Sequence, residues 1–210
     1  MKEKIINNTK GFTMAELVIS LCIITLLAAA SVPIFTTVIP DYKLKSAARD
    51  LYSNFRKAKR QAIKENTSWA IVFDTVNGCY YICSDQGANG TWGDGGANIA
   101  EMTNDTLNGA TNVIELTVTL NDYGYGVRYG HGPATFDATA AANPFPNDLP
   151  TTNITYAVND DIVTFNPRGG GKAGYIYLSN QNNTSAYAVG TGASGVVYLR
   201  RWMGAANGWN

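Results

Sequence analysis

The sequence is short of the residues that catalysis draws on most. It holds one histidine and three cysteines in 210 residues, and only 15% of its residues are charged. His131, in "YGHGP", has no G-x-S-x-G nucleophile motif anywhere to serve, so it reads as a loop residue. "RGGGKAG" at 168–174 resembles a phosphate loop only in its glycines, because Lys172 is followed by Ala173 where a Ser or Thr is required; turn glycine explains it better. No EF-hand spacing occurs, although Asp85 and Asp94 in a Gly-rich stretch offer oxygen chemistry that suits calcium. Cys79 and Cys83 lack the second pair that a zinc site needs. On one straight strand their Cα atoms would stand roughly 13 Å apart, beyond the ~7 Å reach of a disulfide, so a bridge would require a bend or a partner on another chain. Formal net charge is zero, which removes any global field for nucleic acid. No cofactor motif is present, and no catalytic constellation.

Charge is also missing locally. From Leu17 to Pro40 the only ionisable group is the thiol of Cys22, which reads as a small hydrophobe. As a helix this run would be about 36 Å long, enough to cross a hydrocarbon core. Lys2, Lys4 and Lys10 against Glu3 make the preceding segment +2 and hold it in the cytoplasm. Three structures fit such a pattern. One is a secretory signal peptide, with Ala28-x-Ala30 as its cleavage site. The second is a simple one-span anchor. Neither accounts for Glu16, a lone carboxylate at the front of the run.

The third is carried by "KGFTMAELVISL". Gly11, Phe12, Thr13 and Glu16 resemble the N-terminal motif of prepilins and pseudopilins, the subunits of type IV pili and type II secretion systems. Pro33 also falls where that family commonly has a proline. The resemblance implies cutting between Gly11 and Phe12 by a prepilin peptidase, N-methylation of Phe12, and insertion in the bacterial inner membrane with the head in the periplasm. An inner-membrane assembly platform would then draw the subunit out of the lipid into a pseudopilus or cell-surface pilus beside other subunits. Glu16, with Thr13, would set assembly and register by pairing with a newly exposed terminal amine, a pairing strongly preferred in a low-dielectric core. The helix dipole offers Glu16 a simpler role.

Leu44, Ala48, Leu51, Phe55, Ala58 and Ala62 follow 4-3-4-3-4 spacing and draw one apolar stripe for burial against the chain's own domain. Lys43, Arg49, Lys57, Arg60 and Lys64 occupy much of the remaining surface, as a solvated or subunit-facing side. A helix from Phe12 to Asn66 would span about 80 Å, with bends or loosening at Pro33 and Pro40. After Asn66 the period changes. "SWAIVFD" and "CYYICS" read as a hairpin closed by Asn77-Gly78. Residues 85–98 read as a loop, and "NVIELTVTL" and "YGYGVRYG" as a second pair of strands around Asn121-Asp122. Pro133, Pro144, Pro146 and Pro150 mark a long connection over 131–153, and three or four strands close the chain.

The expected fold class is α+β: a long N-terminal helix packed on an antiparallel β-rich, pilin-like head. Its divisions are a leader 1–11, a membrane or filament-core helix 12–39, an amphipathic continuation 40–66 and a head 67–210. Phe165, Pro167, Gly169 to Gly171, Gly174, Tyr187, Gly195 and Val197 resemble the strand and turn order of the GspH/FimT group. Some FimT-like pilins capture DNA through arginines near the last strand. Here Gly195 is followed by Val196 and Val197, but Arg200, Arg201 and Trp202 lie beyond as candidate phosphate and base contacts. The reading is therefore a structural subunit, with a DNA-binding minor pilin and, more remotely, a membrane-anchored enzyme as its alternatives.

Overall fold

The computed structural model describes residues 11–84, 92, 114–139, 145, 154–156 and 161–210, without the side chains of 31–34 and 37. Residues 1–10 of the leader, most of loop 85–98 with Asp85 and Asp94, and Pro144, Pro146 and Pro150 lie outside the described residues. The chain divides into two units, residues 1–39 and 40–210.

In the first unit, α1 runs Met14–Pro33. Its 20 residues correspond to about 30 Å of rise, but side chains are described only as far as residue 30. Among the described residues no helix is long and apolar enough to cross a membrane. A π-helical stretch follows at Ile34–Val38 and α2 at Ile39–Glu65. The expected single helix is thus interrupted between the two prolines, each of which lacks the N–H that a regular ladder needs. Hydroxyls within α1 turn back onto its own backbone: Ser20 Oγ donates to the Glu16 carbonyl at 2.7 Å and Thr25 Oγ1 to that of Cys22 at 2.9 Å.

The second unit is an α+β head with every strand pair antiparallel. β1 (Trp69–Asp74) and β2 (Cys79–Cys83) form the expected hairpin. Asp74 ties its turn, accepting from Val76 N at 3.1 Å, Asn77 N at 2.9 Å and Asn77 Nδ2 at 2.6 Å. β3 (Ile114–Thr119) adds beyond β2 and β5 (Ile162–Phe165) beyond β1, giving a first sheet ordered β3-β2-β1-β5. The second sheet contains β4 (Arg128–Tyr129), β6 (Gly174–Ser179), β7 (Ala186–Thr191) and β8 (Val197–Arg201), in the order β4-β6-β7-β8.

One expected pairing is corrected by this topology. β3 and β4 are not partners, and the chain between them is a 3-10 turn, Leu120–Tyr123, rather than a hairpin end at Asn121-Asp122. Leu120 drops into the core, 2% exposed, and the chain passes on to the other sheet. β5 and β6 sit in different sheets, and Phe165 at the end of β5 forms an isolated bridge with Gly171 in the turn that follows.

α2 buries Leu44, Ala47, Ala48, Leu51, Phe55, Ala58 and Ala62, the expected stripe with Ala47 added. They share one core with Phe73, Ile82 and Phe165 of the first sheet and Ile176, Leu178 and Val189 of the second. The Phe55 ring lies 6.1 Å from those of both Phe73 and Phe165, edge-on to the latter. Removing so much apolar area from water, at roughly 25 cal/mol per Å², is the main force that fixes α2 to the head.

Candidate assembly surfaces and the family of the chain

The N-terminal constellation is local and closed on itself. Gly11 and Phe12 precede α1, outside helical bonding, and Phe12 is 86% exposed. Thr13 Oγ1 accepts from Glu16 N at 3.2 Å, while Glu16 Oε2 accepts from both Thr13 N and Thr13 Oγ1 at 2.9 Å. These reciprocal bonds form a capping box, which satisfies donors that a helix N-terminus otherwise leaves bare. T-x-x-E is the signal for this arrangement and is legible in "TMAE", yet sequence reasoning assigned Glu16 only to a terminal amine or the dipole. Beyond the box, α1 is apolar on every side: Leu17, Val18, Ile19, Leu21, Ile23, Ile24, Leu26 and Leu27 are all more than half exposed. Such a helix requires another apolar environment.

The candidate DNA contacts are occupied within the head. Arg200 Nη1 donates to the Ala138 carbonyl at 2.7 Å, and its guanidinium lies over the rings of Tyr175 and Tyr198. Arg201 lies 3.8 Å from Asp41 and over Tyr187. Trp202, proposed to stack on a base, is buried instead against Phe136 and Trp209. The aromatic density of the C-terminal residues drew it inward.

His131 stacks on Phe145 at 4.4 Å, and its Nδ1 lies 3.0 Å from the Ala134 carbonyl. Cys79 and Cys83 are both buried and free. They lie at the two ends of β2, which stays extended between them, so the proposed disulfide does not form. Burial pushes the Cys83 thiol up to about 12. Among the described residues no group of His, Cys, Asp and Glu is placed to hold a metal ion.

The glycine-rich turns have a packing role. Gly195 sits at φ +69°, and a Cβ there would stand 2.0 Å from the Gly169 carbonyl oxygen. The turn entering β8 thus rests directly on the turn leaving β5. Lys59 of α2 reaches the same place, donating from Nζ to the Gly195 carbonyl at 2.8 Å.

That α2–turn–turn junction falls within a family match. The profile of the type II transport protein GspH matches residues 47–195, about seven-tenths of the chain. The chain belongs to the GspH family. The matched span begins within α2 and ends at Gly195, so it takes in α2's buried stripe from Ala47 onward, the first sheet, β4, β6 and β7 of the second, and the stacked glycine turns, while β8 lies beyond it. Of the residues that carried the resemblance, Phe165, Pro167, Gly169 to Gly171, Gly174, Tyr187 and Gly195 lie inside it and Val197 lies just beyond. No curated protein and no solved structure matches the chain. GspH membership makes this a pseudopilin-like subunit of type II secretion, associated with other pseudopilus subunits in the cell envelope. The prepilin-like motif at Gly11 to Glu16 precedes the matched span.

Proposed function

We propose that this GspH-family chain is a mechanical filament subunit. It is cut between Gly11 and Phe12 by a prepilin peptidase, methylated at Phe12, held in the inner membrane by α1, and then packed helix against helix into a pseudopilus. The observation that carries the reading is the exposure of large apolar side chains all round α1, beside a head that has completed its own core. The exposure of Gly11 and Phe12 outside the helix supports the cut between them, since proteases act most readily on exposed terminal backbone. Capping would keep the Glu16 carboxylate at the helix start until the new terminal ammonium of a neighbour competes for it, a contest that a low-dielectric filament core favours. With Trp202 buried and Arg200 bonded to the Ala138 carbonyl, the C-terminal residues do not favour the DNA-uptake reading.

Two substitutions test it. Glu16→Ala should leave the chain inserted and processed, with an N-methylated Phe12 terminus by mass spectrometry, but poorly incorporated in filaments. Glu16→Gln retains an acceptor for the capping box and removes the charge; it should assemble as poorly as Glu16→Ala. Normal incorporation of both, or a mature terminus at Ser31, overturns the proposal.

A further inference from the structure

A chain with zero net charge need not be neutral everywhere. Residues 41–66 contain eight Lys and Arg against three Asp and Glu, net +5, while residues 67–210 contain five against eleven, net −6. Helix and head therefore carry opposite charge. On α2, Lys45, Arg49, Arg56, Lys57, Arg60 and Lys64 are all exposed. At about 100° per residue they fall within an arc of about 120° and along roughly 28 Å of axis. Among the described residues the ion pair is that of Arg201 with Asp41, and none of these six takes part in one. Asp50 lies at the margin of the arc. It accepts from Tyr123 Oη at 2.9 Å, which brings it beside the 3-10 turn where Asp122 is exposed. Glu115 is exposed near the start of β3, roughly 17 Å of strand before that turn, where its carboxylate accepts from Ser84 Oγ at 2.9 Å. A cationic face on α2 thus adjoins a turn that carries Asp122 beside Asp50, and Glu115 extends this anionic flank along the edge strand β3.

We propose that these two faces are the halves of one head-to-tail interface, the cationic face of α2 docking on the Asp50–Asp122–Glu115 flank of a second copy. This rests on the filament reading and names a surface for it outside α1. A surface matched to a different surface on the next copy is heterologous, and heterologous contacts that do not close propagate as a helix. Opposed charge fixes register and speeds encounter more than it adds affinity, which suits subunits inserted one at a time. Duplex DNA would meet the same cations but also a head of net −6, whereas a second copy supplies the complement itself.

The test uses the full-length chain in nonionic detergent, with self-association followed by sedimentation from 50 to 500 mM NaCl. Wild type should associate at least tenfold more weakly at the higher salt. Arg56→Glu with Arg60→Glu, and separately Glu115→Lys with Asp122→Lys, should each weaken association tenfold at low salt without altering the head's tyrosine and tryptophan circular dichroism. Mixing the two double variants should restore it. Salt-independent association, or no recovery on mixing, overturns the interface. So does a cationic-face variant that keeps its self-association but loses binding to vesicles of anionic phosphatidylglycerol or to duplex DNA. Filaments that form normally from the double variants sink this inference alone; a wild-type chain that never assembles sinks the filament reading with it.

Discussion

Replacing Gly195 by alanine places a methyl group where the structure has a carbonyl. The new Cβ would lie 2.0 Å from Gly169 O and 3.0 Å from its carbonyl carbon, and both are backbone atoms that no rotamer change can clear. The residue would also be held at φ +69°, which costs an L side chain about 1–2 kcal/mol. Displacing packed backbone adds about 1–3 kcal/mol, for a total of about 3 kcal/mol. In a chain of this size that lowers Tm by about 6–12 °C. Gly78 separates the two effects, having φ +67° but nothing within 4 Å of its would-be Cβ. Gly78→Ala should therefore cost only the backbone component, about 1–2 kcal/mol. Thermal unfolding of the full chain in detergent reports the difference through tryptophan fluorescence, since Trp69 and Trp202 are buried in the head. Equal losses for the two variants, or none for Gly195→Ala, would refute the claim that the two turns stack backbone on backbone.

Two further outcomes can be stated. Phe55→Ala removes a fully buried ring at the centre of the core and should cost about 3–5 kcal/mol in chemical denaturation; a loss under 1 kcal/mol would mean that α2 is not packed as described. The head should also be sensitive to alkali. Desolvation raises the Cys83 thiol from 9.0 to about 12 and the Tyr80 phenol from 10.0 to about 12. Both groups are held in their protonated form by folding, so their contribution is complete below pH 9 and declines as pH rises toward 12, at about 1.4 kcal/mol per pH unit for each titrating group. Urea midpoints measured between pH 8 and 11 should fall accordingly, and Cys83→Ala should make the first unit above pH 9 shallower.

How far these features could be read in advance depended on the range of the contacts behind them. The α2 stripe was legible because helical periodicity is a property of neighbours three and four apart. The β1–β2 hairpin was legible because Asn77-Gly78 announces its turn within four residues. The 3-10 turn at Leu120–Tyr123 was not, since the strands on either side look like a hairpin until Leu120 finds a place in a core built from distant residues. Nor was the assignment of β5 and β6 to different sheets legible, since the turn between them is held by Gly195 from the next hairpin along. Of the N-terminal residues, Glu16 stood out as a lone carboxylate, but its hydrogen bonds to Thr13 were missed although T-x-x-E spelled them out. Arg200 and Trp202 were misread because a surface role was assigned from residue type, while their partners Ala138 and Phe136 lie more than sixty residues earlier.

The chain crosses from one sheet to the other at both Leu120–Tyr123 and the turn after Phe165, so neither sheet is made from an unbroken run of sequence. Pulling a strand from either sheet therefore strains a segment anchored in the other. Under tension, opening either sheet should load the other through these two crossings.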